Sequence, residues 1–202
     1  MSLISVIIPY NIDRGYLGEA LNSIHQQTYK DFEIILSHSE HSGGYNMNRG
    51  IEKAKGEYLK YLCEDDILTP NCLKDSLDAI QGFDFIHGRG VNLHQNGVET
   101  PYTMTNPYAQ LSSMLEQNGI NGGTTLYRTE IFNKVKWDEE LFTGGEYDFN
   151  LKLLSLGYKL GFCDKVLYKY RRHDLQKSLG NTSFEYQNAR AEQIEMIRNR
   201  YR

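Results

Sequence analysis

Three consecutive carboxylates, Glu64, Asp65 and Asp66, with Cys63 before them, follow residues 58–62, a short and mostly apolar segment. The segment predicts a buried strand, and like charges at its end repel each other unless solvent, a cation or a helix N-terminus offsets them. Hard divalent ions bind carboxylate oxygens, and Mg²⁺ or Mn²⁺ at such a site often shares its coordination shell with a substrate phosphate. This acidic turn, residues 64–66, therefore predicts a divalent-metal site.

The acidic turn also has a purely structural interpretation. Asp66 or Thr69 would be the N-cap of the next helix, with Pro70 in the first turn of that helix. Such a solvated cap needs no ligand, so the neighbouring segments must distinguish the two interpretations.

Strand and helix patterns alternate through the first half of the chain. Strands are predicted at residues 3–8, 32–36 and 58–62, and helices at 15–27, around Met47, Ile51 and Ala54, and around Leu73, Leu77 and Ile80. This order predicts right-handed crossovers and a parallel sheet, in which ligands collect at the carboxyl ends of the strands. The turn at Pro9, the loop at residues 37–42 and the acidic turn are therefore expected at one edge.

The second half of the chain is less regular. It predicts a strand at 83–87, a hairpin at 91–98, a helix at 106–117, a strand at 122–127, a helix at 146–156, a strand pair at 158–170 and a terminal helix at 183–202. Because the chain has no internal repeat and no linker-like tract, we expect a single domain.

Composition argues against several classes of protein. The net charge of -4 over 202 residues is too mild and too evenly spread to predict binding to nucleic acid. No apolar run reaches the ~20 residues that span a bilayer, and the first residues lack the basic region of a leader peptide. The odd number of cysteines, without a C-x-x-C pair, predicts free thiols in a reducing compartment. A cytoplasmic location is expected.

Several segments then follow in a recognisable order. They are residues 5–11 (SVIIPYN), 26–29 (QQTY), 31–35 (DFEII), 48–51 (NRGI), 54–58 (AKGEY), the acidic turn, 145–153 (GEYDFNLKL) and 170–173 (YRRH). This ordered set, spanning residues 3–178, resembles the family 2 glycosyltransferases of the GT-A fold. One segment alone would be weak evidence, but the order is specific.

The resemblance implies an α/β, Rossmann-like fold with a mixed, mainly parallel sheet flanked by helices. It implies a nucleotide-binding half at about residues 1–100, an acceptor and catalytic half at about 101–180 and a C-terminal helix at about 183–202, with further domains possible beyond it. It also implies transfer of a hexose, with inversion, from a UDP-sugar to a hydroxyl of a glycan or small acceptor. Mn²⁺ or Mg²⁺ would be the cofactor.

By the same resemblance, Asp65 is the direct metal ligand, Asp66 supports it, and Glu64 lies on the sugar or ribose side. His173 is expected at the metal or the diphosphate, although a lone histidine is more often a satisfied structural residue. Arg171 and Arg172, beside it, are expected at the diphosphate because guanidinium matches phosphate oxygens with paired donors.

The remaining donor-binding positions implied by the resemblance are Pro9, Tyr10, Asn11, Ser37, His38, Ser39 and Asn48. The loop after the second strand normally carries an aspartate that reads the base, but here it contains Ser37, His38 and Ser39. Either serine can hydrogen-bond to uracil and His38 can stack on it. A metal site at His38, Glu40 and His41 is disfavoured because their spacing differs from the helical H-E-x-x-H pattern.

Glu146 lies at the family's general-base position, and a positioned carboxylate contributes ~10²–10⁴-fold to such a reaction. The alternative is an acidic residue that favours a helix N-terminus through the dipole. Asp148 lies on another face of that helix and is expected to be structural or to contact the acceptor. Lys177 and Ser178 are expected in a loop that orders over the donor.

Two other functional classes compete. A non-catalytic nucleotide-sugar or glycan-binding module would keep the sheet and lose the base. A nucleotidyltransferase or dehydrogenase is disfavoured because no G-x-G-x-x-G or Walker loop follows the first strand. The arginines of the terminal helix, Arg198, Arg200 and Arg202, would contact an anionic surface or further domains, or belong to a solvated helix that packs through Ile194 and Ile197.

Overall fold

The computed structural model describes residues 2–103, 105–176 and 183–202. The strands are β1 (Ile4–Tyr10), β2 (Phe32–His38), β3 (Tyr58–Tyr61), β4 (Ile67–Leu68), β5 (Phe85–His94), β6 (Glu99–Pro101), β7 (Leu126–Arg128) and β8 (Leu160–Arg172). The α-helices are α1 (Leu17–His25), α2 (Gly43–Ile51), α3 (Cys72–Ala79), α4 (Leu111–Glu116), α5 (Gly145–Ser155) and α6 (Phe184–Asn199). Short 3-10 helices lie at Gly122–Thr124 and Thr129–Asn133.

The strands form one mixed sheet in the order β2-β1-β3-β7-β5-β8-β4, with β6 paired to β5. β1 is parallel to both β2 and β3, and β5 is parallel to β8 along most of its length. β7 joins these two parallel groups by antiparallel pairing with β3 and β5. The predicted mixed and mainly parallel sheet is thus confirmed, with helices packed against it.

The predicted common edge is also confirmed. Pro9 is in register with Ser37, and Tyr10 with His38, at the carboxyl ends of β1 and β2. Leu62 extends β3 by donating its N–H to the carbonyl of Ile7 at 2.9 Å. The three polar segments after these strands therefore meet at one edge of the sheet.

Three predicted elements in the second half differ from the structure. The predicted strand pair at 158–170 is instead one long strand, β8, which pairs with β5. The register of this pairing shifts at β-bulges around Arg89, so that the pairing continues on both sides of them. The helix at 106–117 covers only Leu111–Glu116. The strand at 122–127 begins only at Leu126, since the two glycines before it form a 3-10 turn in which Asn121 Oδ1 accepts the Gly123 N–H at 3.1 Å.

Lys60 lies at the centre of the sheet and is fully buried in β3. Its Nζ donates to the carbonyl oxygens of Gly123 at 2.6 Å and Thr125 at 3.0 Å. Burial lowers the pKa of Lys60, and the two carbonyls supply the hydrogen bonds that a buried ammonium requires. Lys60 therefore fixes residues 122–125 against β3, the strand that leads into the acidic turn.

His87 on β5 yields a prediction about stability. Its ring is buried, and neither ring nitrogen has a hydrogen-bond partner in the described parts of the chain. Burial lowers the pKa of His87 to about 4, whereas an unfolded histidine titrates near ~6.5. The unfolded state thus takes up a proton first as the pH falls below neutral, and this proton uptake removes stability until the pH reaches about 4.

We therefore expect His87→Leu to reduce the loss of unfolding free energy between pH 7 and pH 5 by about 2 kcal/mol. Urea denaturation at both pH values measures this loss. His25→Gln, at an exposed position, is the control and should leave the pH dependence unchanged. An identical pH dependence in wild type and His87→Leu would contradict the assignment.

Candidate active site

Asp65 and His173 form the candidate metal site. Asp65 Oδ2 lies 3.1 Å from His173 Nε2, and the His173 side chain is almost completely buried beside the ring of Tyr16. One possible ligand atom each from Cys63, Asp65 and Asp66 lie within 4.8 Å of one another. Carboxylate ligands suit Mg²⁺ and Mn²⁺, and imidazole is a ligand of several first-row transition metals. The structure thus brings together the residues that the sequence predicted for the metal.

Cys63 directly precedes the acidic turn. Burial raises the pKa of the Cys63 thiol well above its usual value, and the charges of Asp66 and Asp65 add to this effect. Cys63 is thus a desolvated thiol that lies beside the negative charges of Asp65 and Asp66.

Asp66 supports the turn from beneath. Its Oδ2 accepts a hydrogen bond from the hydroxyl of Tyr168, and its Oδ1 accepts the backbone N–H of Arg171 at 2.8 Å. Both oxygens are therefore used by β8. The alternative capping role was wrong, because α3 begins at Cys72 after Asn71, which makes no side-chain cap.

Glu64 is paired with a residue that the sequence did not single out. Arg14, in the loop after β1, forms a partly buried ion pair with Glu64 and donates from Nε to the carbonyl of Leu175 at 3.1 Å. Burial and the neighbouring Asp65 charge raise the pKa of Glu64 to about 7, and Arg14 opposes this shift. Because the two residues are 50 positions apart, no local pattern could have revealed the pair.

The predicted base-binding residues lie together at the ends of β1 and β2. The rings of Tyr10 and His38 stack with centroids 4.6 Å apart, with Ser37 buried next to them. Ser39 Oγ donates to Asn46 Oδ1 at 2.7 Å, and the Asn46 amide donates to the Tyr10 carbonyl at 3.2 Å. Asn46, a buried residue of α2 that was not predicted, holds this loop in shape.

Asn48 is a structural residue in this arrangement. Its amide donates to the Trp137 carbonyl at 3.0 Å and to Glu139 Oε1 at 2.7 Å, and its Oδ1 accepts the Trp137 N–H at 3.1 Å. Both N–H groups are therefore used to tie α2 to the segment before α5. The predicted contact of Asn48 with the donor has no support from this geometry.

The two arginines at the end of β8 differ. Arg171 donates to the Asp65 carbonyl at 2.8 Å and to Glu19 at 2.7 Å, and its guanidinium lies 4.4 Å from the centre of the Tyr16 ring. Arg171 is therefore part of the scaffold of the acidic turn. Arg172 lies over the ring of Tyr170 at 5.3 Å and forms no ion pair within the described ranges, so it is the better candidate for a phosphate ligand.

Glu146 lies in the first turn of α5, exposed and next to the glycine segment that Lys60 holds. A Cβ added to Gly122 would lie 1.9 Å from the Tyr61 hydroxyl and 2.9 Å from Glu146 Cγ. After burial, the charge of Glu146 is the largest influence that raises the pKa of Tyr61. Tyr61 precedes the acidic turn, and after burial the charges of that turn and of Glu146 all raise the pKa of the neighbouring Cys63 thiol. The predicted base and the acidic turn therefore lie near each other.

Asp148 is structural, one of the two roles expected for it. It is fully buried and binds Arg200 and Tyr201 at the end of the chain. Lys177 and Ser178, predicted to close over the donor, lie outside the described residues. The three cysteines are free, as predicted.

None of the helices in the described ranges is both long enough and apolar enough to cross a membrane.

No protein-family model matches the chain. An uncharacterised glycosyltransferase of Rickettsia typhi is 28% identical over 209 residues, covering 86% of this chain and 65% of that protein. The glycosyltransferase GlyG of Streptococcus pneumoniae is 26% identical over 232 residues, covering 93% of this chain and 76% of GlyG. The chain spans 65% of the first relative and 35% of one from Rickettsia conorii.

A solved structure shares the fold. The structure of S. aureus TarS 1-349 in complex with UDP-GlcNAc matches 98% of this chain and 70% of TarS 1-349, with a TM-score of 0.72 and 19% identity. This match confirms the predicted α/β glycosyltransferase fold. Together with the curated relatives, it confirms the predicted resemblance to glycosyltransferases.

Gly122 leaves a notch between the Tyr61 hydroxyl and the Glu146 side chain, and this notch yields a prediction about the site. Gly122→Ala must displace either Tyr61 or the side chain of Glu146, because the new Cβ would overlap both. We expect glycosyl transfer, the activity that the resemblance implies, to fall on the order of 10²-fold, the cost of a misplaced reacting group, with unchanged donor affinity. Gly18→Ala, which would contact nothing within 4 Å, is the control. Full activity in Gly122→Ala would contradict the role of the notch.

Proposed function

We propose that this domain is a metal-dependent, inverting glycosyltransferase that moves a hexose from a UDP-sugar to an acceptor hydroxyl. The observation that carries this proposal is that Glu146 lies beside Gly122 and the Tyr61 hydroxyl. Tyr61 belongs to the strand that leads into the acidic turn, where Asp65 meets His173. A general base close to a site that can hold the leaving group suits a displacement reaction in which a nucleoside diphosphate leaves.

The donor would lie along the edge formed by β1, β2 and β3. The Tyr10–His38 stack offers an aromatic face for uracil, and Ser37 offers a hydroxyl beside it. Arg172 would meet the diphosphate, because it is the cleft arginine without an ion-pair partner in the described chain. The UDP-GlcNAc complex of a protein with the same fold supports this choice of donor.

Asp65 and His173 would hold Mn²⁺ or Mg²⁺, with Asp66 fixing the turn through Tyr168 and Arg171. The residues fit such an ion, since the Asp65 carboxylate is the kind of ligand that Mg²⁺ and Mn²⁺ prefer and the His173 ring supplies a nitrogen beside it. When bound, the ion supplies positive charge for the oxygens of the leaving diphosphate.

Glu146 would act as the general base. Its carboxylate takes the proton of the acceptor hydroxyl while the acceptor oxygen attacks the anomeric carbon from the face opposite to UDP. The bond from that carbon to the diphosphate oxygen breaks, and UDP leaves with its electron pair. One displacement of this kind inverts the anomeric configuration.

Glu146→Gln tests this assignment most directly. The amide cannot accept the proton, so we expect the rate of sugar transfer to fall by ~10²–10⁴-fold, whereas the dissociation constant for the UDP-sugar stays the same. Transfer is measured as UDP release with a panel of UDP-sugars, Mn²⁺ and acceptors, and donor binding by calorimetry. Glu140→Gln, at an exposed position, is the matched control.

Two results would count against the proposal in different ways. Transfer at the wild-type rate by Glu146→Gln would remove Glu146 from the chemistry. Binding of UDP-sugars by the wild type, with no transfer or hydrolysis of any donor, would favour a binding module on this fold.

A further inference from the structure

The helix that carries Glu146 begins without a capping side chain. Its N-cap residue, Gly144, has a φ of 71° and makes no side-chain cap. The neighbouring Thr143 instead donates its backbone N–H to Gln193 Oε1 of α6 at 2.9 Å. A Cβ on Gly144 would lie 2.8 Å from Ile194 Cδ1. The C-terminal helix therefore packs directly on the start of α5.

An ion pair fixes the same turn from its buried side. Asp148 is fully buried, and its Oδ1 accepts hydrogen bonds from Arg200 at 3.1 Å and from the Tyr201 hydroxyl at 2.9 Å. Arg200 also pairs with Asp138 at 2.7 Å. The only other cation near this carboxylate in the described structure is Lys152, 3.8 Å from Oδ2. Removing such a partner leaves an uncompensated buried charge and strongly destabilises the folded structure around it.

A third contact involves Tyr147, which lies between Glu146 and Asp148 in the sequence. The Tyr147 hydroxyl donates to the Met114 carbonyl at 2.5 Å and accepts from Arg198 Nε at 3.3 Å. Arg198 reaches across to the Glu116 carbonyl at 3.1 Å as well. The residues on both sides of Gly145 and Glu146 are thus held by the end of the chain.

We propose that Arg200 and Tyr201 are positioning residues for Glu146, acting through Asp148. The inference rests on the proposed function for its catalytic consequence, because Glu146 is the proposed base. Two of the arginines that the sequence left as a surface feature, Arg198 and Arg200, thereby acquire a role at the active site. Arg202 does not, since its partners are Glu195 and Asn199 of its own helix.

Arg200→Met and Arg202→Met form the matched pair that tests this proposal. We expect Arg200→Met to lower kcat on the order of 10²-fold, because the first turn of α5 relaxes and Glu146 leaves its place. KM for the UDP-sugar should not change, since Arg200 has no part in the proposed donor site. Arg202→Met should retain wild-type kcat and KM. Arg200→Lys, which keeps the charge, should recover part of the kcat lost in Arg200→Met.

A second measurement does not depend on activity. Amide hydrogen exchange in residues 144–150 should accelerate in Arg200→Met and, less strongly, in Tyr201→Phe, which loses one hydroxyl and is expected to fold. Arg202→Met should exchange as the wild type does.

The outcomes separate this inference from the proposed function. Wild-type kcat in both Arg200→Met and Tyr201→Phe would overturn the inference, while Glu146→Gln still reports on the base. If no donor is transferred by the wild type, the proposed function fails, and hydrogen exchange alone then decides whether the chain end orders this turn. Unchanged exchange at residues 144–150 in both variants would overturn that role.

Discussion

The structure of the site depends on how three adjacent carboxylates are kept together at the end of β3. Each has a partner that is distant in the sequence: Glu64 pairs with Arg14, Asp65 contacts His173, and Asp66 accepts hydrogen bonds from Tyr168 and the backbone of Arg171. Because the partners come from the loop after β1 and from β8, the acidic turn also ties these segments together. Of the three, Asp65 is the carboxylate whose side-chain partner is a histidine.

A second constraint links this turn to the proposed base. Lys60 and Tyr61 are adjacent in β3, so one faces the carbonyls of residues 123 and 125 while the other reaches the notch at Gly122. The same strand thus anchors the glycine segment and leads into the acidic turn. Glu146 packs against that segment from α5. The separation between base and metal site is therefore set by the sheet and by side chains buried in it.

The sequence predicted much of this arrangement because parallel strands align their carboxyl ends. The apolar runs before Pro9, Ser37 and the acidic turn were enough to place three polar segments at one edge. The sequence could not reveal Arg14, Asn46 or Lys60, since their partners are distant in the chain or are backbone carbonyls. The partners of Asn48 and Arg171 are also distant backbone carbonyls. The sequence therefore predicted that both residues bind the donor, and it could not show that their polar groups make internal hydrogen bonds.

The central proposal is that Asp65 and His173 hold a divalent cation that receives the diphosphate of a UDP-sugar. The most direct test is calorimetry of UDP binding with and without Mn²⁺, on the wild type and on Asp65→Asn. Asp164→Asn, which alters an exposed ion pair with Arg89, is the control. The account predicts Mn²⁺-dependent binding in the wild type and in Asp164→Asn, and its loss in Asp65→Asn. Binding that is equally tight without Mn²⁺, or unchanged in Asp65→Asn, would contradict it.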